Sequence, residues 1–94
     1  MNIKIIRVTE DEAEIEFLDE GHTFLNVLKH SLLQDPQVEI ATYDVKHPMI
    51  SNPIFYIKTE SKDPLKALRD ASLRLKEEFD TLLGLIKLKS ESIA

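Results

Sequence analysis

Ninety-four residues, no cysteine and a formal net charge of −5 confine the chain to one small domain. They exclude a disulfide frame, a thiolate zinc site and a thiol nucleophile. The 12 basic residues are scattered among 17 acidic ones, so no basic stripe is available to grip a phosphate backbone, and direct nucleic-acid binding is not expected.

No apolar run approaches the roughly 20 residues that span a bilayer. The N-terminus alternates instead of forming the apolar block of a signal peptide. No membrane partner is expected, and the chain reads as an intracellular, cytoplasmic protein.

The predicted elements follow in chain order. Residues 2–8 read as a strand, with Ile3 and Ile5 on one parity and Ile6 and Val8 on the other. Thr9 to Glu12 form a polar turn. In residues 13–18, Ala13, Ile15 and Phe17 alternate with Glu14 and Glu16, which is a strand with one buried and one wet face. The short link predicts an antiparallel hairpin.

A helix follows from about His22 to Gln34, with Phe24, Leu25, Leu28 and Leu32 at helical spacing. Thr23 is the candidate N-cap. Asp35-Pro36 stops the helix, because proline pushes its predecessor out of the helical region. Val38 to Val45 is a third strand, and Phe55 to Lys58 a fourth. His47-Pro48 and Asn52-Pro53 bracket a stiff connection between them.

The last third is one long helix. Asp63 caps it and Pro64 takes its first position. Its stripe runs Leu65, Leu68, Ala71, Leu75, Phe79, Leu82, Leu83 and Ile86. Asp70 and Arg74, four apart, can pair along it. The order ββαββα predicts an α+β domain spanning residues 1–94: a four-stranded, mainly antiparallel sheet with two helices on one face and a long C-terminal helix.

Geometry makes that helix conspicuous. From Asp63 to Lys89 it measures roughly 39 Å at 1.5 Å per residue, against about 23 Å for a seven-residue strand. About three turns must overhang the sheet. An overhang in a solitary domain should turn polar. Here Leu85 and Leu88 lie beside the stripe and widen the apolar arc toward the C-terminus. Such a surface needs a partner, or it is an aggregation risk.

Chemistry is hard to find. His22 and His30 stand eight apart, about 12 Å along a helix, and cannot share an ion. The acidic run Glu10, Asp11, Glu12, Glu14 and Glu16 reads as a solvated turn and strand face. There is no Gly-rich phosphate loop and no nucleophile elbow. No catalytic residue, metal site or cofactor is expected of the chain by itself.

Several motifs in register carry a resemblance. Glu20-Gly21-His22-Thr23 with Asn26, Asp35-Pro36, Tyr43, His47-Pro48, Ser51-Asn52-Pro53, Tyr56-Ile57 and Asp63-Pro64-Leu65 together resemble the alpha-subunit dimerisation family of RNA polymerases. Within it, the small L subunits of archaeal polymerases are the nearer match, over essentially the whole chain.

The resemblance implies a heterodimer with the larger alpha-like subunit, called D in archaea. On that pair the two large catalytic subunits assemble. Catalysis and its magnesium ions then belong to those large subunits. The dimerisation helix falls on Phe24, Leu25, Leu28, Leu32 and Leu33. The long helix contributes Phe79, Leu82, Leu83 and Ile86. Bacterial members carry two arginines facing a large subunit where this chain has Lys29-His30; the guanidinium pair is missing here, and the resemblance implies Lys29 and His30 only as the matching position for such a contact. Without the resemblance, a homodimeric α+β domain binding a small molecule or serving regulation is the competing class. A pocket of convergent polar groups would favour that class.

Overall fold

The computed structural model describes residues 1–45 and 52–93. Its elements are β1 (Asn2–Val8), β2 (Glu12–Leu18), α1 (His22–Leu33), β3 (Val38–Asp44), β4 (Ile54–Thr59) and α2 (Pro64–Ile93). The strands form one sheet in the order β1-β2-β4-β3, and every neighbouring pair is antiparallel. Both helices pack on the same face of it. This is the predicted ββαββα arrangement. His47, Pro48 and Ser51 lie outside the described residues.

The inner face follows from strand alternation. Ala13, Ile15 and Phe17 of β2 stand beside Phe55 and Ile57 of β4, all at most 3% exposed. Leu25, Leu28 and Leu32 of α1 and Ala67 and Ala71 of α2 close over them. Each fully buried large aliphatic among these contributes roughly 2 kcal/mol of transfer free energy. The alanines are four apart, so both fall on one side of α2 and let its backbone approach the sheet. Phe17 is the hub of an aromatic group, with ring centroids 6.2 Å from Phe24 and 5.9 Å from Phe55.

Strand β1 departs from simple alternation. Ile3 faces Phe17 and Ile5 faces Ile15, but the register then slips, so that Arg7 faces Glu14 and Val8 faces Ala13. Unbroken alternation would put Arg7 on the apolar face with Ile3 and Ile5. The extra residue at the bulge turns Arg7 outward and Val8 inward. On the outer face the Arg7 guanidinium reaches Glu12 at 2.9 Å and Glu14 at 3.5 Å, and the Tyr56 hydroxyl donates to Glu12 at 2.9 Å. Four Ile and Val residues on two parities are therefore not a contradiction in the sequence.

Helix α1 begins two residues earlier than a Thr23 cap requires. Gly21 is the N-cap, with extended backbone and no side-chain cap bond, and its carbonyl accepts from Leu25 N at 3.3 Å. Asp19, held in the left-handed region at φ 62°, turns the chain early and leaves Thr23 inside the first turn. At α2 the expected cap is present: Asp63 Oδ1 accepts from Leu65 N at 3.0 Å.

The two helices are joined by polar contacts, not by grease alone. Buried Ser31 donates its hydroxyl to Ala71 O at 2.9 Å. Arg74 Nη2 donates to Ser31 O at 2.6 Å, a cation on a carbonyl of the last turn of α1. Asp70 does not pair with Arg74. It takes Lys62 Nζ at 3.0 Å, and Lys62 also holds Asp35. An exposed pair four apart is worth only about 0.3 kcal/mol, so partly buried tertiary partners outcompete it.

Asp35 is 8% exposed and also accepts from Gln37 N at 2.9 Å. The Lys62 ammonium first, and then the Gln37 N–H, hold its carboxyl below the usual carboxylate range. A depressed carboxyl contributes stability that is complete above its ordinary unfolded pKa. That contribution is lost as pH falls through the lower folded value. Asp35→Asn should therefore lower unfolding stability at neutral pH by about 2 kcal/mol. It should also flatten the acid limb, as urea melts across acid and neutral pH will show. Ser31→Leu forces a larger side chain between α1 and α2 and should cost about 2–3 kcal/mol in the same melts.

Candidate interaction site

Helix α2 has 30 residues, about 45 Å at 1.5 Å per residue, in a molecule whose longest dimension is 51 Å. Its first half lies on the sheet. Pro64, Ala67 and Ala71 are buried there, and Leu65, Leu68 and Leu75 pack partly against the core. From Lys76 to Glu91 every residue is exposed. Among them Phe79 is 58% exposed, Leu82 49%, and Leu83 and Ile86 51% each. Leu85 and Leu88 flank them, also exposed. The overhang and its widened apolar arc are both present.

Beneath the start of the overhang lies an open groove of about 800 Å³. Its walls are Met1, just before β1, Ile3 from β1, Phe24 and Val27 from α1, and Leu68, Leu75 and Phe79 from α2, with Phe17 and Leu28 at its base. The groove exists because the helices cover β2, β4 and β3 but leave the inner face of β1 open: Ile3 is 47% and Ile5 50% exposed. Phe79 belongs to both groove and overhang, so the two form one continuous apolar surface. The groove lacks the convergent polar groups that a small-molecule site needs to orient its ligand; Thr23, Ser72 and Lys76 stand at its rim.

The structure divides the residues assigned to dimerisation from sequence. Phe79, Leu82, Leu83 and Ile86 are brought together on the overhang. Phe24 is half-buried on the groove wall. Leu25, Leu28 and Leu32 are at most 3% exposed and belong to the chain's own core. Leu25 and Leu32 support the groove without lining it, and Leu28 reaches only its base.

Leu33 is 47% exposed but lies nine positions from Phe24, two and a half turns on, and so on the opposite side of α1. There it shares a face with Lys29 and His30, of which Lys29 is half-buried and His30 exposed. Sequence reasoning missed Ile3, Val27 and Met1. The apolar parity of β1 was the available signal, but periodicity does not say which strand the helices leave bare.

Near the other end of α1, the Tyr43 hydroxyl and His22 Nδ1 share a hydrogen bond of 2.9 Å, and their rings lie 5.5 Å apart. This ties the start of α1 to β3, with Tyr43 stacked on Phe55 at 6.2 Å. The Gly21-His22 motif thus has a structural task in docking the helix.

The family described as the RNA polymerase Rpb3/Rpb11 dimerisation domain matches residues 12–84. DNA-directed RNA polymerase subunit Rpo11 of Methanothrix thermoacetophila is 51% identical over 83 residues, which cover 88% of this chain and 91% of that one. Its counterpart in Methanocella arvoryzae is 40% identical, covering 98% of this chain and 100% of that one. The crystal structure of DNA-directed RNA polymerase subunit L from Thermoplasma acidophilum superposes with a TM-score of 0.85 at 27% identity, covering 94% of this chain and 87% of that one. A half-covered sheet, an overhanging apolar helix and these likenesses agree: the chain belongs to the Rpb3/Rpb11 dimerisation family of RNA polymerase subunits.

Proposed function

We propose that this chain is the small alpha-like assembly subunit of an archaeal DNA-directed RNA polymerase. It pairs with the larger alpha-like subunit in the cytoplasm, and the pair is the platform on which the large catalytic subunits assemble. The chain itself performs no catalysis. The observation that carries this reading is the continuous apolar surface from the β1–α1–α2 groove to Ile86, in a chain whose family is defined by dimerisation.

The mechanism is shared burial. Phe79, Leu82, Leu83 and Ile86 supply the exposed anchors, Phe24 supplies the groove wall, and Leu25, Leu28 and Leu32 hold that wall rigid from below. A preformed surface spares the ordering cost of binding. Phe79 and its aliphatic neighbours suit the desolvated centre of an interface. Lys29, with Leu33 beside it, faces away from the groove, and His30 lines a smaller crevice between α1 and α2 with Val27, Leu75 and Glu78. Lys29 and His30 are proposed to meet a large subunit once the pair has formed.

Leu82→Asp tests the assignment. The side chain lies outside the core, so the helix content and melting of the isolated chain should stay near wild type. A charge at the interface centre should cost at least about 2 kcal/mol of pairing energy, roughly thirtyfold in affinity. Co-expression and co-purification with the larger alpha-like subunit reads the loss. Ile40→Asp, on the uncovered outer face of the sheet where Ile40 is 41% exposed, should leave recovery of the pair unchanged. Equal recovery with Leu82→Asp and wild type overturns the assignment.

A further inference from the structure

We infer that, in the absence of another subunit, the overhanging half of α2 pairs with the same segment of a second copy, antiparallel and about a two-fold axis between Leu83 and Gly84. The charges along the helix set this register. The exposed stretch carries Lys76, Glu77, Glu78 and Asp80 before that point and Lys87, Lys89 and Glu91 after it; of these only Glu77 comes level with a neutral residue, Ser90.

An antiparallel pair brings level those residues whose numbers lie symmetrically about the axis. Lys76 then meets Glu91 of the second copy, Glu78 meets Lys89, and Asp80 meets Lys87. Each match is of opposite sign, and the axis makes each occur twice.

The matched residues also fall on matching flanks. At 100° per residue, Lys76, Asp80, Lys87 and Glu91 lie on one side of the stripe formed by Phe79, Leu82, Leu83 and Ile86, and Glu78 and Lys89 lie on the other, between that stripe and Leu85. In an antiparallel pair like flanks face each other. In a parallel pair like charges would come level with like.

Glu91 of the second copy comes level with Lys76, where the exposed stretch begins. The Lys76–Asp80 contact within one chain, 2.8 Å with both side chains more than half exposed, is weak and can be shared. The contact covers about four turns of each helix and leaves the groove uncovered, so it falls short of the ~1,600 Å² of a standard interface. The homodimer is therefore a concentration-dependent state that a larger interface displaces. The inference rests on α2 alone and does not depend on which subunit supplies that interface.

Charge exchange in the full chain tests it, read by sedimentation equilibrium without any partner subunit. Wild type should pass from monomer to dimer as concentration rises. Asp80→Lys alone sets Lys against Lys87, and Lys87→Asp alone sets Asp against Asp80. Each variant should stay monomeric where wild type is dimeric, with unchanged circular dichroism.

An equimolar mixture of the two variants restores opposite charges at both contacts and should recover the dimer. Glu78→Lys and Lys89→Glu should behave in the same way on the other flank. A wild-type chain that stays monomeric throughout its soluble range overturns the inference. So do higher oligomers that keep growing, dimers indifferent to single exchanges, or mixtures that fail to recover. None of these results bears on co-purification with the larger alpha-like subunit.

Discussion

A helix about twice as long as the sheet it lies on is the constraint on which this molecule depends. A sheet built from strands of six or seven residues can cover only the first turns of a 30-residue helix. The remainder must be carried rigidly or lost to fraying. Asp63 at its start, Ser31 and Arg74 at the crossing with α1, and Ala67 and Ala71 against the sheet hold the covered half. The projecting half inherits its direction from them. The polar ties between the helices thus set where an apolar surface points, far from the ties themselves.

The same economy explains the core. With two helices placed over β2, β4 and β3, the remaining strand, β1, is left bare on its inner face. The small core is complete where Leu25, Leu28 and Leu32 meet Phe55 and Ile57, and it is open at Ile3 and Ile5. A chain of this size gains from extending burial across a boundary with another chain, since the fraction of surface buried rises with size.

Much of this was legible from residue order. Strand alternation at Ala13, Ile15 and Phe17, the Asp35-Pro36 stop and the Asp63-Pro64 start each act locally, and local chemistry set those boundaries. What was not legible was set at a distance. An apolar stripe on α1 states that something covers it, not what. Leu25, Leu28 and Leu32 turned inward to the chain's own sheet, and Leu33 turned away.

Asp70 was claimed by Lys62, in the link just before α2 and itself tied to Asp35 just past the end of α1, not by Arg74 along the helix. The cap at Gly21 was decided by the left-handed turn at Asp19, which no hydroxyl preference predicts. In β1, parity counting assumed an unbroken pleat, and a single bulged residue invalidated it.

That bulge has a further consequence. β1 is an edge strand, and its unpaired amides and carbonyls are a template on which another extended chain could hydrogen-bond. A strand growing along it would lose step at the slip between Ile5 and Arg7, and its side chains would change faces there. Continuous sheet growth from this edge is interrupted after a few residues. A molecule that must carry bare apolar surface is thereby guarded against fibrous assembly through its backbone, while its side chains stay open to partners.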